Sequence, residues 1–186
     1  EDAAGDLWIS VLPGPLMRFD RESGEVVERV QPPPESDAFL EAVQDPSSPD
    51  IYWLGVHGSG GLARLDRRTN ALTTYPKRPD APELGVNAPD IYRVVHDRND
   101  SVLWLGSIFG GGLTRFDKET ERFTHFIHDP KVPASIGSDA VIAVHQEKDG
   151  TLWVGTKGGG LNRLDPETGT FDRFSTDHGI PADVNS

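Results

Sequence analysis

The chain has 186 residues, 30 acidic side chains against 18 basic ones, a formal net charge of −12 and no cysteine. That charge repels nucleic-acid polyanions, and the missing thiols exclude disulfides and thiol chemistry. No apolar run approaches the roughly 18–20 residues of a membrane span, and no signal peptide opens the chain.

The first strand pattern is Leu7-Trp8-Ile9-Ser10, followed by a proline-rich loop and then Leu16-Met17-Arg18-Phe19-Asp20. The same pair returns three times. Trp53-Leu54-Gly55-Val56 precedes Leu62-Ala63-Arg64-Leu65-Asp66; Trp104-Leu105-Gly106-Ser107 precedes Leu113-Thr114-Arg115-Phe116-Asp117; Trp153-Val154-Gly155-Thr156 precedes Leu161-Asn162-Arg163-Leu164-Asp165. Short strands repeating about every 40–50 residues are the signature of a β-propeller. The expected fold is therefore all-β, with about four four-stranded antiparallel blades at approximately 1–30, 37–75, 90–126 and 138–175. The first blade is incomplete, because Leu7-Trp8 already belongs to a second strand.

In the fourth copy, Ala140 to His145 predicts the inner strand and Asp149-Gly150 a tight hairpin turn. Lys157-Gly158-Gly159-Gly160 turns the chain back, and Asp165-Pro166-Glu167-Thr168-Gly169 closes the last hairpin. That last turn recurs at Asp20 to Gly24, Asp66 to Asn70 and Asp117 to Glu121. Its leading Asp is suited to accept backbone N–H bonds, and its final position wants left-handed backbone, which Glu121 fits poorly. Recurrence marks these carboxylates as turn residues rather than acid–base or metal pairs. One tryptophan per copy at one register marks the indoles as core.

Asn185-Ser186 matches Ser138-Asp139, just before an inner strand, so the chain stops short of the strand its own start lacks. The expectation is an open arc of a larger propeller, completed by further blades or by a second copy.

The run Leu152-Trp153-Val154-Gly155-Thr156 through Gly158-Gly159-Gly160 to Asp165-Pro166-Glu167-Thr168-Gly169, with His128-Asp129-Pro130 and Ala134 to Ser138 before it, resembles the two-component regulator propeller repeat. The resemblance implies that the whole propeller has about seven blades and is a ligand-sensing one in the periplasmic or extracellular part of a histidine kinase, many of which respond to carbohydrate fragments. It implies no cofactor. A weaker similarity to streptogramin B lyase-type propellers implies an enzyme with a histidine base and a metal-binding acid. His57, His128 and His178 lie in loops without a partner at matching register, so no catalytic or metal-binding residue is assigned. A lyase or hydrolase with a site partly outside this segment, and an interaction or dimerisation scaffold, remain the alternatives.

Binding resides most readily in irregular loops on a rigid scaffold. Loops between the second and third strands, and links between blades, share one propeller face. Phe109 sits at such a loop tip, placed either to stack on a sugar ring or to cross into a neighbouring core. His57 and Lys157 occupy comparable tips. Glu41, Arg93 and Ile142 are expected at one inner-strand register as a lining row. His96 and His145 are expected to share a register and to be structural.

Overall fold

The structure, a computed structural model, describes residues 1–180. Asn185 and Ser186 lie outside the described residues. Fifteen strands form four sheets. The first sheet is β1 (Leu7–Ser10), β2 (Leu16–Asp20) and β3 (Glu25–Val30). The second is β4 (Ser36–Asp45), β5 (Ser48–Gly58), β6 (Leu62–Asp66) and β7 (Ala71–Tyr75). The third is β8 (Arg93–His96), β9 (Val102–Gly106), β10 (Leu113–Asp117) and β11 (Arg122–Phe126). The fourth is β12 (Val141–Gln146), β13 (Leu152–Thr156), β14 (Gly160–Leu164) and β15 (Phe171–Phe174). Strands follow chain order within each sheet and pair antiparallel, so every sheet is a meander. This is the expected all-β propeller arc with a three-stranded first blade. No described helix is long and apolar enough to cross a membrane.

The repeat register is uniform. Trp8, Trp53, Trp104 and Trp153 each lie opposite the arginine of the following strand: Arg18, Arg64, Arg115 and Arg163. Each hairpin between the third and fourth strands is held by its leading carboxylate. Asp20 Oδ1 accepts from the N–H groups of Glu22 and Ser23, and Asp165 Oδ1 from those of Glu167 and Thr168. The closing positions are left-handed, with φ of 74° at Gly24, 56° at Asn70, 71° at Gly169 and 53° at Glu121. Glu121 is the costly member for a side-chain-bearing residue; its carboxylate accepts a 2.8 Å bond from the Tyr75 hydroxyl of the neighbouring sheet.

Cores form between consecutive sheets rather than within them. Leu16 and Trp8 meet Tyr52, Leu54 and Leu65. Trp53 and Tyr75 meet Leu103, Phe116 and Phe123. Trp104 and Leu113 meet Leu152, Leu164 and Phe171. Burial follows position along the arc: Trp53 and Trp104 are 3% and 7% exposed, whereas Trp8 and Trp153 are half-buried. The indoles are packing residues, but not equally so.

A hydrogen bond also joins each blade to the next on the loop face. Gly14, Gly61 and Gly112 donate their N–H to the carbonyls of Asp37, Pro89 and Asp139. Gly61 and Gly112 have φ of 64° and 71°, and a Cβ there would sit 2.5 Å from Tyr75 O and 2.1 Å from Phe126 O. These glycines are required by backbone approach between strands.

Two register expectations are corrected. Glu41 and Arg93 do face the equivalent Gly55 and Gly106, but in the fourth sheet Ala143 faces Gly155, and Ile142 is the extra residue of a β-bulge. β4 has the same bulge before Glu41, so the slip arises in the first hairpin, where the turn between His96 and Leu103 is one residue longer than that between Gln146 and Leu152. For the same reason His145 lies opposite Trp153, while His96 lies opposite Leu103 and not opposite Trp104. Side chains alternate along a strand, so the two histidines point to opposite sheet faces.

Candidate functional site

The loop face of the second and third blades gathers most of the candidate residues. β5 continues past its last pair with β6, at Gly55, to Gly58 in the glycine loop while still paired with β4, and carries His57 on this tip. His57 Nδ1 lies 2.5 Å from Asp37 Oδ1, and its Nε2 lies 4.0 Å from Asp90 Oδ1. Asp37 comes from the start of β4 and Asp90 from the link entering β8. Asp90 Oδ1 also accepts the Gly58 N–H at 2.6 Å. His57 therefore stands between two carboxylates from adjacent blades, which corrects the expectation that no loop histidine has a partner. Asp37 and His57 line a shallow depression of about 340 Å³ with Glu35 and Ser36. The buried Ser36 hydroxyl there has no hydrogen-bond partner.

Next to this cluster the chain enters β8 through Tyr92. Its ring meets the Phe109 ring edge-on, with centroids 5.6 Å apart. Phe109 is 68% exposed, so it does not cross into a neighbouring core. The pair presents an open aromatic surface. Burial, followed by the charges of Asp90 and Asp37, pushes the Tyr92 phenol above its ordinary range. The hydroxyl thus sits in a negative field.

Arg93 and Glu41 lie on the inner strands. Arg93 Nη1 donates to Tyr92 O at 3.0 Å, its Nε reaches Ile142 O of the fourth blade at 3.2 Å, and Glu41 Oε1 lies 3.9 Å from it. Glu41 Oε2 accepts the Val94 N–H. Burial pushes the Glu41 carboxyl up, against the opposing pull of Val94 and Arg93. These two side chains tie three inner strands together, with Arg93 half-exposed. Lys157 stands apart: its backbone N–H donates to Ala140 O at 2.9 Å, and its exposed side chain makes no ion pair with the other candidates among the described residues.

Of the other loop histidines, His128 Nδ1 bonds Ile136 O at 2.8 Å, and His178 packs against Phe174. Both hold their own links in shape.

A second polar cluster was not foreseen from sequence. On the opposite side of the second-to-third blade joint, ligand atoms of Asp45, His96 and Asp100 lie within 4.8 Å of one another. Such a set has the composition of a cation site. The cation present is the Lys118 ammonium, 2.9 Å from Asp45 Oδ2 and bonded to Asp100 Oδ1. Trp53 Nε1 donates to the same Asp45 oxygen, and His96 Nδ1 meets Asp100 at 2.9 Å. Lys118 bridges the two carboxylates across the joint, and the cluster is an inter-blade lock.

Comparison with known proteins accords with this geometry. Residues 135–158 match the two component regulator propeller family. That stretch, which ends within the fourth copy, is similar to the family's repeat. The fold is shared with the extracellular domain assigned to the hybrid two component system BT3049 of B. thetaiotaomicron, at 21% identity and a TM-score of 0.75. The match covers 94% of this chain and 24% of that one. The extracellular domain assigned to the system BT4673 of the same organism matches at 17% identity and a TM-score of 0.66, covering 95% and 24%. The chain thus spans about a quarter of the length of these propeller-bearing domains. No curated protein matches it in sequence.

Proposed function

We propose that this chain forms part of the sensing propeller of an extracytoplasmic two-component receptor, and that its loop face binds a carbohydrate fragment without chemical turnover. The single observation that carries the reading is the exposed Phe109–Tyr92 pair standing beside the polar Asp37–His57–Asp90 cluster. An aromatic face covers the C–H side of a sugar ring, and carboxylates beside it accept hydroxyl protons. Asp37 holds His57 through Nδ1, while Nε2 lies 4.0 Å from Asp90 Oδ1, beyond hydrogen-bond reach; the preference for binding over turnover rests on the open aromatic pair.

The propeller repeat and the solved extracellular domains of like fold support placement outside the cytoplasm, a downstream kinase and further blades as parts of this reading. Calorimetric titration against a panel of soluble oligosaccharides tests the reading. A saturable ligand whose affinity falls about tenfold in Phe109→Ala supports it. A ligand bound equally well by Phe109→Ala contradicts it.

A further inference from the structure

We propose, resting on that reading, that the loop-face site selects a polyhydroxylated ligand without negative charge, and that an amino group on the ligand strengthens binding. The argument begins with the groups left free. Asp37 offers Oδ2 and has a half-exposed side chain, Asp90 offers Oδ2, and exposed Glu35 lines the same depression. These oxygens accept hydrogen bonds and donate none. A vicinal diol or an ammonium supplies donors to them; a carboxylate or sulfate does not.

The cations nearby are already engaged. His57 is held by Asp37 and faces Asp90, so even a protonated ring leaves the Glu35, Asp37 and Asp90 group net negative. Two of the Arg93 nitrogens are committed to the carbonyls of Tyr92 and Ile142, and Glu41 stands 3.9 Å from the guanidinium. Tyr92, whose ring meets Phe109, has its phenol raised chiefly by burial, with the charges of Asp90 and Asp37 adding to it. Across the whole chain, the net charge of −12 adds to the repulsion of an anionic ligand. Ser36, which also lines the depression, keeps a buried hydroxyl with no partner.

The test uses three disaccharides titrated into the full chain at low salt: a β-1,4-linked glucosamine disaccharide, its neutral N-acetylated counterpart, and digalacturonate. The expected order of affinity is amine, then neutral, then uronate, with the amine-to-uronate ratio above tenfold and shrinking in 0.5 M salt because exposed charges are screened. The double variant Glu35→Gln/Asp37→Asn alters two exposed side chains and should cut that ratio at least threefold while leaving the neutral sugar within about twofold. Digalacturonate binding as tightly as the neutral sugar overturns the charge selection but keeps the carbohydrate reading. Absence of binding by all three overturns both. A charge ratio unmoved by the double variant overturns the assignment to this cluster.

Discussion

The Trp53 indole donates a 2.8 Å hydrogen bond to Asp45 Oδ2. Trp8 donates in the same way to Asp2 and Trp153 to Glu147, each at 2.9 Å. Trp104, 7% exposed, has no partner for Nε1. In its blade the matching acid, Asp97, is turned to the backbone N–H groups of Ser101 and Val102. A buried unpaired donor costs roughly 1–3 kcal/mol. Trp104→Phe removes that liability, so it should destabilise the fold by about 1 kcal/mol less than Trp53→Phe. Urea denaturation midpoints measure the difference, and equal losses contradict it.

Gly110 and Gly112 both have positive φ, yet they should respond differently to substitution. Nothing lies within 4 Å of a Cβ at Gly110, whereas at Gly112 it would meet Phe126 O at 2.1 Å. Gly110→Ala is expected to cost about 1 kcal/mol from backbone conformation. Gly112→Ala should cost at least twice that, since the strand pair must shift and its bond to Asp139 O is endangered. Similar thermal midpoints for the two variants would refute the inter-blade role of Gly112.

The inter-blade lock gives stability a pH dependence of one sign. Burial, then the Lys118 charge, lowers the His96 pKa below its ordinary 6.5, with Asp100 and Asp45 opposing. The unfolded chain therefore binds the proton first. The His96 contribution is fully present above pH 6.5 and declines below it until the folded ring titrates, with a slope of at most about 1.4 kcal/mol per pH unit. Burial raises the Asp100 pKa, but the Lys118 and Ser47 bonds outweigh it and leave the value below 3.8. Its contribution is lost only as the pH falls further, through its folded pKa. His96→Gln should flatten the wild-type stability profile just below pH 6.5; an identical profile would remove His96 from the account.

Asn162 is fully buried, and its Oδ1 accepts the Gly137 N–H at 2.8 Å while its Nδ2 reaches Val154 O and Thr156 Oγ1 at 3.1 Å. Asn162→Ala strands several buried groups and is expected to cost about 2–4 kcal/mol. Hydrogen exchange should report selective loss of protection at Gly137. Retention of wild-type stability would contradict the assignment.

The blades were legible in the amino-acid sequence because their signals are local. A Trp strand, an Arg-x-Asp strand and an Asp-x-x-Thr-Gly turn each declare themselves within a few residues, and the period multiplies them fourfold. The pairing of Glu41 with Arg93 was legible in part, as equivalent positions of neighbouring repeats. Ile142 and His145 were misplaced because the first hairpin of the third blade is one residue longer than that of the fourth, and counting back from the tryptophans carries that residue into the inner strands. The His57 cluster was not legible at all: Asp37 lies at the start of β4 and Asp90 in the link to β8, far from His57 in sequence, and only the folding of the strands and the blade-to-blade stacking bring them together. Lys118 was hidden for the same reason, its role depending on Asp45 in another repeat.

The most direct test of the loop-face site is amide NMR of the chain with and without a saturating oligosaccharide. The account predicts shift changes centred on Gly58, Asp90, Tyr92, Phe109 and Gly110. The Asp66-to-Asn70 and Asp117-to-Glu121 turns, on the opposite face, should stay unmoved. Shifts confined to those turns, with the loop-face amides unchanged at saturation, would contradict it.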